Sequence, residues 1–559
     1  MKNADLFSRY CFATLAANER RSFMKVVIIG GVAAGASAAA RLRRLDETLE
    51  IVLFERGQSI SYANCGMPYH VGGVIADRED LLVMPEETFR KRFRVDVRTN
   101  CEVTSINPKV RIVSVRCAGA SYTESYDILV IATGAEVVRM PIEGLPPSKC
   151  FTLTSLSEMD QLIAALRQDV KSALVIGGGF IGVETAENLA RRGLHVTLVE
   201  RNAHLLSANF DPEMAQWLDE ALTKSGVTLE LGHSVKSWED NQALLDDGRE
   251  VAAEIVVMCI GVKPRSALAR EAGIKLSARG HIIVDEYLRT SEPLVYAAGD
   301  VCEVRDSQTR ISSAIALAGP ANRQGRTVAA NILGRTQRIH ETYGASVVKV
   351  GDFTGASIGL TEARARAEGI AYRAIYAHPV DHASYYPGSR PLHLKLLFDE
   401  DCRILGAQAV GRAGVEKRID VIATAMHFGA KAYELADLEL CYAPPYGSAK
   451  DPVNILGMIV ANLHDGLTSP ITPEKIPQNA FLIDVREPLE FAMGSFEGAV
   501  NIPLGLLREH LEELPCDRPL VVYCKVGQRG YFAERILRQN GFKEVYNLTG
   551  GVTSWRPKR

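Results

Sequence analysis

The apolar run Ala173–Ile176 leads straight into Gly177-Gly178-Gly179-Phe180-Ile181-Gly182, and little else in the chain restricts its fold as much. Glycine at 177, 179 and 182 suits a buried strand that turns tightly into a helix. The first opens the turn, the second lets backbone approach a pyrophosphate, and the third packs helix on strand. The following strand-like run, His195–Val199, ends in Glu200, an acceptor for ribose hydroxyls that would repel a 2′-phosphate, so NADH is expected over NADPH. An earlier copy begins at Met24–Ile29 and continues through Gly30-Gly31-Val32-Ala33-Ala34-Gly35 into a small-residue helix, with Glu55 and Arg56 at the end of its second strand. Val32 stands where the middle glycine is expected, and one such match alone describes only a tight turn. Two copies in one chain predict two bound dinucleotides, one a flavin and the other a nicotinamide.

Two more apolar runs end in small residues: Tyr126 through Ala132-Thr133-Gly134, and Leu294 through Gly299-Asp300. With Gly30 and Gly177, these signatures in this order resemble the FAD-dependent pyridine nucleotide–disulfide oxidoreductases over roughly residues 24–463. The resemblance implies FAD on Gly30, Gly31, Ala33, Ala34, Gly35, Glu55, Arg56, Ala132, Thr133, Gly134, Gly299 and Asp300, with Asp300 on the ribityl chain. It implies NADH on Gly177, Gly179, Ile181, Gly182, Glu200 and Gly261. The expected fold is α/β, with two Rossmann-like dinucleotide-binding domains, an α+β dimerisation domain and a further C-terminal unit. The FAD domain is expected to be discontinuous (24–148 and 263–340), with the NADH domain (149–262) inserted in it. Dimerisation is assigned to 341–463, so a homodimer is expected.

Cys65 lies in Ser61-Tyr62-Ala63-Asn64-Cys65-Gly66-Met67-Pro68, and the next cysteine is Cys101. Taken alone it reads as a small buried hydrophobe. Beside a flavin, a thiol with no neighbouring thiol must share its redox chemistry with a sulfenic acid or with a small thiol. The large disulfide reductases carry Cys-x4-Cys, which is absent here. The stretch resembles the single-cysteine branch of NADH oxidases, NADH peroxidases and coenzyme A–disulfide reductases. Ala33 aligns where the peroxidases have a histidine, which removes an acid–base group and favours coenzyme A as the partner thiol. Cations for its phosphates are sought among Arg41, Arg43 and Arg44 and among Arg90, Lys91, Arg92 and Arg94, most of which are expected to be a solvated face. By resemblance, Arg44, Ser61 and Asn64 contact CoA. Tyr442 and one of Tyr385 or Tyr386, with Tyr385 preferred, would protonate or orient the leaving thiolate from the second subunit.

Residues 464–477 carry Pro470, Pro473 and Pro477 and read as a linker, and 478–559 as a separate α/β unit. There Pro519–Tyr523 is a buried strand running into Cys524-Lys525-Val526-Gly527-Gln528-Arg529 and a helix. A cysteine in such a loop faces many backbone N–H groups, which bind anions and favour a thiolate. These motifs resemble a single rhodanese domain, with catalytic Cys524 and Arg529. Its loop is one residue shorter than that of phosphatases, which suits a terminal sulfur. The unit is expected to be joined to the rest by tether rather than by fold.

Eleven scattered cysteines in 559 residues argue against a disulfide framework or zinc site and for a cytoplasmic, reducing setting, with no metal expected. Net charge of −3 gives no reason to expect nucleic acid or an anionic membrane as partner. Met1–Phe23 is expected to be a disordered extension or an upstream start chosen in error. The combined expectation resembles coenzyme A–disulfide reductase–rhodanese fusions. Electrons would pass from NADH through FAD to a Cys65–S–S–CoA mixed disulfide, in reduction of CoA disulfide, CoA persulfide or polysulfide. Cys524 would carry sulfane sulfur, with hydrogen sulfide as product. An NADH oxidase with an appended sulfurtransferase, or a terminal domain that only docks or senses sulfur, are the competing readings.

Overall fold

The computed structural model describes residues 24–556, apart from 168, 310, 311, 314 and 315; the Met1–Phe23 expectation lies outside the described residues. The chain divides into two compact units, 1–171 with 254–342, and 172–253 with 343–559.

The first unit is built on a five-stranded parallel sheet. Lys25–Ile29 lies at its centre between Glu50–Phe54 and Ile128–Ile131, with Asp96–Arg98 and Val295–Ala297 at the edges. The two central strands are Val/Ile/Leu-rich and almost wholly buried, as a parallel strand covered on both faces must be. Helix Ala33–Leu45 covers one face and packs on helix Ala318–Ile332. A Cβ on Gly325 would lie 2.2 Å from the Ala34 carbonyl oxygen, so only glycine permits that approach. An antiparallel three-stranded sheet spans Cys101–Ser125, and its register sets Cys101 opposite Cys117, which form a disulfide. The sheet register brings together two cysteines that are 16 apart in the sequence.

The second unit holds strands of three main sheets. Ser172–Ile176, His195–Glu200 and Val227–Leu231 pair in parallel, with helices Phe180–Arg191 and Pro212–Lys224 between them in sequence. A five-stranded antiparallel sheet, 346–411, is backed by helices Val415–His427 and Pro452–His464. A second parallel sheet contains Phe481–Asp484, Leu520–Tyr523 and Val545–Leu548.

Two expectations about the C-terminal unit meet a different structure. Pro470–Ile471, inside the expected linker, pairs with Val545–Leu548 as an edge strand, a position where proline's missing N–H is tolerated. Nor does the unit hang on a tether. The Tyr376 N–H donates to Thr549 Oγ1 at 3.0 Å, and the Trp555 ring meets Tyr376 edge-on at 5.2 Å. His378 Nε2 lies 2.8 Å from Ser554 Oγ, and Arg556 pairs with Glu220. Beneath this seam Lys395, fully buried, meets Asp211, Glu213 and Glu362. Three carboxylates around one ammonium keep it charged, and its pKa is raised despite burial.

Candidate active sites

In the first glycine loop, Gly30 takes φ +102°, and a Cβ there would sit 2.2 Å from the Ala132 carbonyl oxygen. Gly35 is closer still to the Gly30 carbonyl. The Glu55 carboxylate accepts the Gly31 N–H at 2.9 Å and the Gly57 N–H at 2.8 Å, which fixes it at the mouth of the loop. Thr133 Oγ1 donates to the Arg265 carbonyl. Gly299, at φ +83°, donates its N–H to buried Gln324 Oε1 and leaves Asp300 at the strand tip. The Asp300 carboxylate accepts no hydrogen bond from the described residues, and burial pushes its pKa up to about 6. A half-buried, unsatisfied acceptor beside a glycine cradle suits a polyhydroxylated chain, so the residues fit FAD.

The second loop repeats the plan. Gly177 takes φ +106°, and Gly179 caps helix Phe180–Arg191. Glu200 accepts from the Gly178 N–H at 2.6 Å and from the Asn202 N–H and Nδ2 at 2.7 Å each. Gly182 is buried and Ile181 half-buried in the first turn of the helix. Gly261, at φ +107°, accepts the Val138 N–H in the first unit.

Cys65 is an exposed thiol in the single 3-10 turn Asn64–Gly66, ahead of the short helix Met67–Val71. Its segment is bonded to the nucleotide loop. The Ser61 N–H donates to the Gly31 carbonyl at 2.9 Å, and Ser61 takes φ +49°, an uncommon conformation for a residue with a side chain. Asn64 Nδ2 donates to the Thr154 carbonyl at 3.2 Å. A Cβ on Gly66 would come within 2.5 Å of the Leu81 side chain.

The structure sorts the candidate cations. Arg43 is buried and donates to the carbonyls of Phe93, Glu47, Leu49 and Arg94, so it is structural. Arg90 and Lys91 pair with Glu86 and Glu87 one turn earlier. Arg44 is exposed, with its guanidinium 5.7 Å from the Phe93 ring centroid. Arg41 keeps a buried Nε without a hydrogen-bond partner, and burial, with Arg326, Arg44 and Arg335 nearby, lowers its pKa.

In the second unit Tyr385 Oη lies 2.7 Å from Tyr442 Oη, and both rings are exposed (73% and 47%). Tyr386 instead packs its ring on His382. The hydrogen bond between the two phenols raises the Tyr385 pKa.

Cys524 is fully buried at the end of its strand. Gly527, at φ +93°, points its N–H at Cys524 Sγ across 3.1 Å. From the far side the Val552 and Thr553 N–H groups take the carbonyls of Cys524 and Lys525, both at 3.0 Å. A Cβ on Gly551 would collide with the Cys524 carbonyl. Arg529 is held in a two-point bond by Glu490, at 2.7 and 2.8 Å. Sequence reasoning named Arg529 but not Glu490, whose only signal was a carboxylate four residues after Arg486 in a helix-start pattern.

Two glycine loops of the dinucleotide-binding kind, with a thiol loop tied to the first, are the layout of a two-cofactor redox enzyme. Residues 24–325 match the pyridine nucleotide-disulphide oxidoreductase family, residues 345–452 its dimerisation domain, and residues 472–558 the rhodanese-like domain. The chain is 34% identical over 438 residues to the coenzyme A disulfide reductase of Staphylococcus aureus (strain bovine RF122 / ET3-1), covering 78% of this chain and 99% of that one. Reduced Bacillus anthracis CoADR-RHD superposes with a TM-score of 0.93 at 42% identity, over 96% of this chain and 98% of that one. The NAD-dependent persulfide reductase from A. fulgidus gives 0.89 at 37%, over 95% and 100%. The chain therefore belongs to the pyridine nucleotide-disulphide oxidoreductases. It is a flavin-type oxidoreductase fused to a rhodanese domain, and among the described residues no helix is long and apolar enough to cross a membrane.

Proposed function

We propose that the protein is a homodimeric, cytoplasmic enzyme that uses NADH to reduce CoA disulfide, CoA persulfide or polysulfide at Cys65, with Cys524 carrying sulfane sulfur and sulfide released. The observation that carries this reading is the Ser61-to-Gly31 hydrogen bond, which anchors the exposed Cys65 segment to the first nucleotide loop. Gly30, Gly31, Ala33, Ala34, Gly35, Glu55, Arg56, Ala132, Thr133, Gly134, Gly299 and Asp300 would hold FAD, which when bound supplies a two-electron path from NADH to a disulfide. Gly177, Gly179, Ile181, Gly182, Glu200 and Gly261 would hold NADH.

The Cys65 thiolate attacks the outer sulfur of a persulfide or one sulfur of a disulfide, and the S–S bond breaks as the leaving thiolate departs. The partner subunit's Tyr442, with its proton relayed through Tyr385, meets that leaving thiolate. The 2.7 Å phenol pair supports Tyr385 over Tyr386 for this role. Arg44, Ser61 and Asn64 bind CoA. Two observations favour this: Arg44 has no carboxylate partner among the described residues, and Arg41 beside it keeps an unsatisfied Nε.

Intact-protein mass spectrometry after incubation with CoA disulfide tests the assignment. A CoA-sized adduct on the wild type, lost under NADH and absent from Cys65→Ser, is expected. Catalytic reduction of CoA substrates with no adduct at Cys65 would refute it.

A further inference from the structure

A loop that holds a thiolate needs its N–H groups turned to the sulfur and its carbonyls turned away. A buried carbonyl turned away needs a donor elsewhere. At Cys524 the donors come from the short helical turn Gly551–Ser554. The Val552 N–H donates to the Cys524 carbonyl and the Thr553 N–H to the Lys525 carbonyl, both at 3.0 Å. A turn of four residues gains little stability from its own hydrogen bonds. This one also opens with Gly550 and Gly551 in left-handed conformations, at φ +75° and +54°, and glycine is the residue with most backbone freedom to lose.

The dimerisation domain supplies an anchor. His378 Nε2 lies 2.8 Å from Ser554 Oγ at the end of the turn, and the Gly550 backbone at its start hydrogen-bonds the same ring. The imidazole is itself held in place. His378 Nδ1 is 2.9 Å from His393 Nδ1, and His393 stacks on Trp217 with ring centroids 3.9 Å apart. Burial, with His393 beside it, lowers the His378 pKa to about 3, so the ring is neutral at assay pH and acts by position rather than by charge.

We propose that His378 is a positioning residue for sulfur transfer at Cys524: by holding both ends of the Gly550–Ser554 turn, it keeps the Cys524 and Lys525 carbonyls bonded to Val552 and Thr553. The inference rests on the sulfur-carrier reading of Cys524 above. A shifted turn frees both carbonyls to swing their negative ends toward a sulfur that the Gly527 N–H now faces. The sulfurtransferase loop is thus completed by a side chain from the reductase part of the chain.

The test follows thiocyanate formation by the full-length enzyme, with CoA persulfide as sulfur donor and cyanide as acceptor. His378→Ala should lower kcat about tenfold, short of the roughly hundredfold that an ångström of misplacement costs, and leave KM within about twofold. NADH-dependent reduction of CoA disulfide at Cys65 should stay within about threefold. His378→Gln keeps a polar nitrogen near the Nε2 position and should return kcat for transfer to within about threefold of wild type. Ser554→Ala should copy His378→Ala, and the double variant should lose no more than either alone, because both remove the same contact. Additive losses overturn the inference. So does a fall in Tm with kcat for transfer unchanged, the sign of a contact that only holds two domains together. Equal losses in transfer and in NADH-dependent reduction overturn it as well. Should His378→Ala not fold, Ser554→Ala decides the matter, and wild-type kcat in that variant overturns the inference. Wild type that yields no thiocyanate fails the sulfur-carrier reading and takes the role of His378 with it, a result distinct from active transfer that ignores His378.

Discussion

Cys65 and Cys524 occupy opposite surroundings. Cys65 is exposed on a single turn whose upstream neighbour, Ser61, sits in a left-handed conformation. Cys524 has no exposed surface, and backbone groups approach it from two sides. The contrast follows from the tasks proposed for them. A thiol that exchanges disulfides with a bulky nucleotide-tailed substrate must be open to it. A thiol that stores one extra sulfur atom needs donors around a small anion and little room for anything else.

Exchanging the sulfurs for oxygens breaks this contrast most directly. Cys65→Ser should cut NADH-dependent reduction of CoA disulfide and CoA persulfide by about a thousandfold or more, since hydroxyl cannot replace thiolate in exchange. Flavin content and NADH binding should not change, and steady-state kinetics beside absorbance spectra check both. Cys524→Ser should abolish persulfide-to-cyanide transfer yet hold NADH-dependent reduction of small CoA substrates to within about threefold, because a diffusible substrate can reach Cys65 without the second domain. Loss of both activities would make Cys524 an obligatory relay.

Tyr442→Phe sharpens the comparison from the Cys65 side. It deletes one end of the 2.7 Å phenol pair and keeps the ring. A drop in kcat of roughly tenfold is expected, at the low end for a lost proton donor because Tyr385 remains. Both rings are exposed, so Tm should hardly move; a fall in Tm with unchanged kcat would mean packing instead.

The smallest effect concerns how the Cys524 domain is held. Burial lowers His378 to about 3 and His393 to about 4, and each ring also feels a neighbouring cation or imidazole. The seam is therefore built with neutral imidazoles. A folded-state pKa below the unfolded value means that the unfolded chain binds more protons at intermediate pH. Stability is retained above the ordinary histidine value of 6.5 and declines as pH falls from there toward 4. Calorimetric melts between pH 7 and 4.5 should show that slope, and His378→Gln should flatten it.

Periodicity and glycine spacing made much of this architecture legible in the sequence. Both nucleotide loops are glycine-dependent for reasons of backbone geometry, and the carboxylates at Glu55 and Glu200 sit where a strand-end acceptor was expected. Cys524 was legible for the same reason, since strand, glycine loop and helix are contiguous. Pairings between distant segments were not. Arg43 looks like its neighbours Arg41 and Arg44 in a row of residues, and only the fold reveals that it is spent on five carbonyls. Lys395 lies in an apolar strand with nothing nearby in sequence to announce three carboxylates. The prolines at 470, 473 and 477 suggest an open linker because local chemistry does not reveal that Pro470–Ile471 adds to the edge of a sheet beside Val545–Leu548.

That seam bears on how the protein can be dissected. Cutting before residue 464 would strip the cover from Tyr376, His378 and the Trp217–His393 stack, whose rings lie 3.9 Å apart. The freed body would present aromatic and imidazole surface to solvent and invite self-association, although its nucleotide loops would be untouched. The reductase half of this chain should thus be harder to handle alone than within the fusion, for reasons of solubility and not of catalysis.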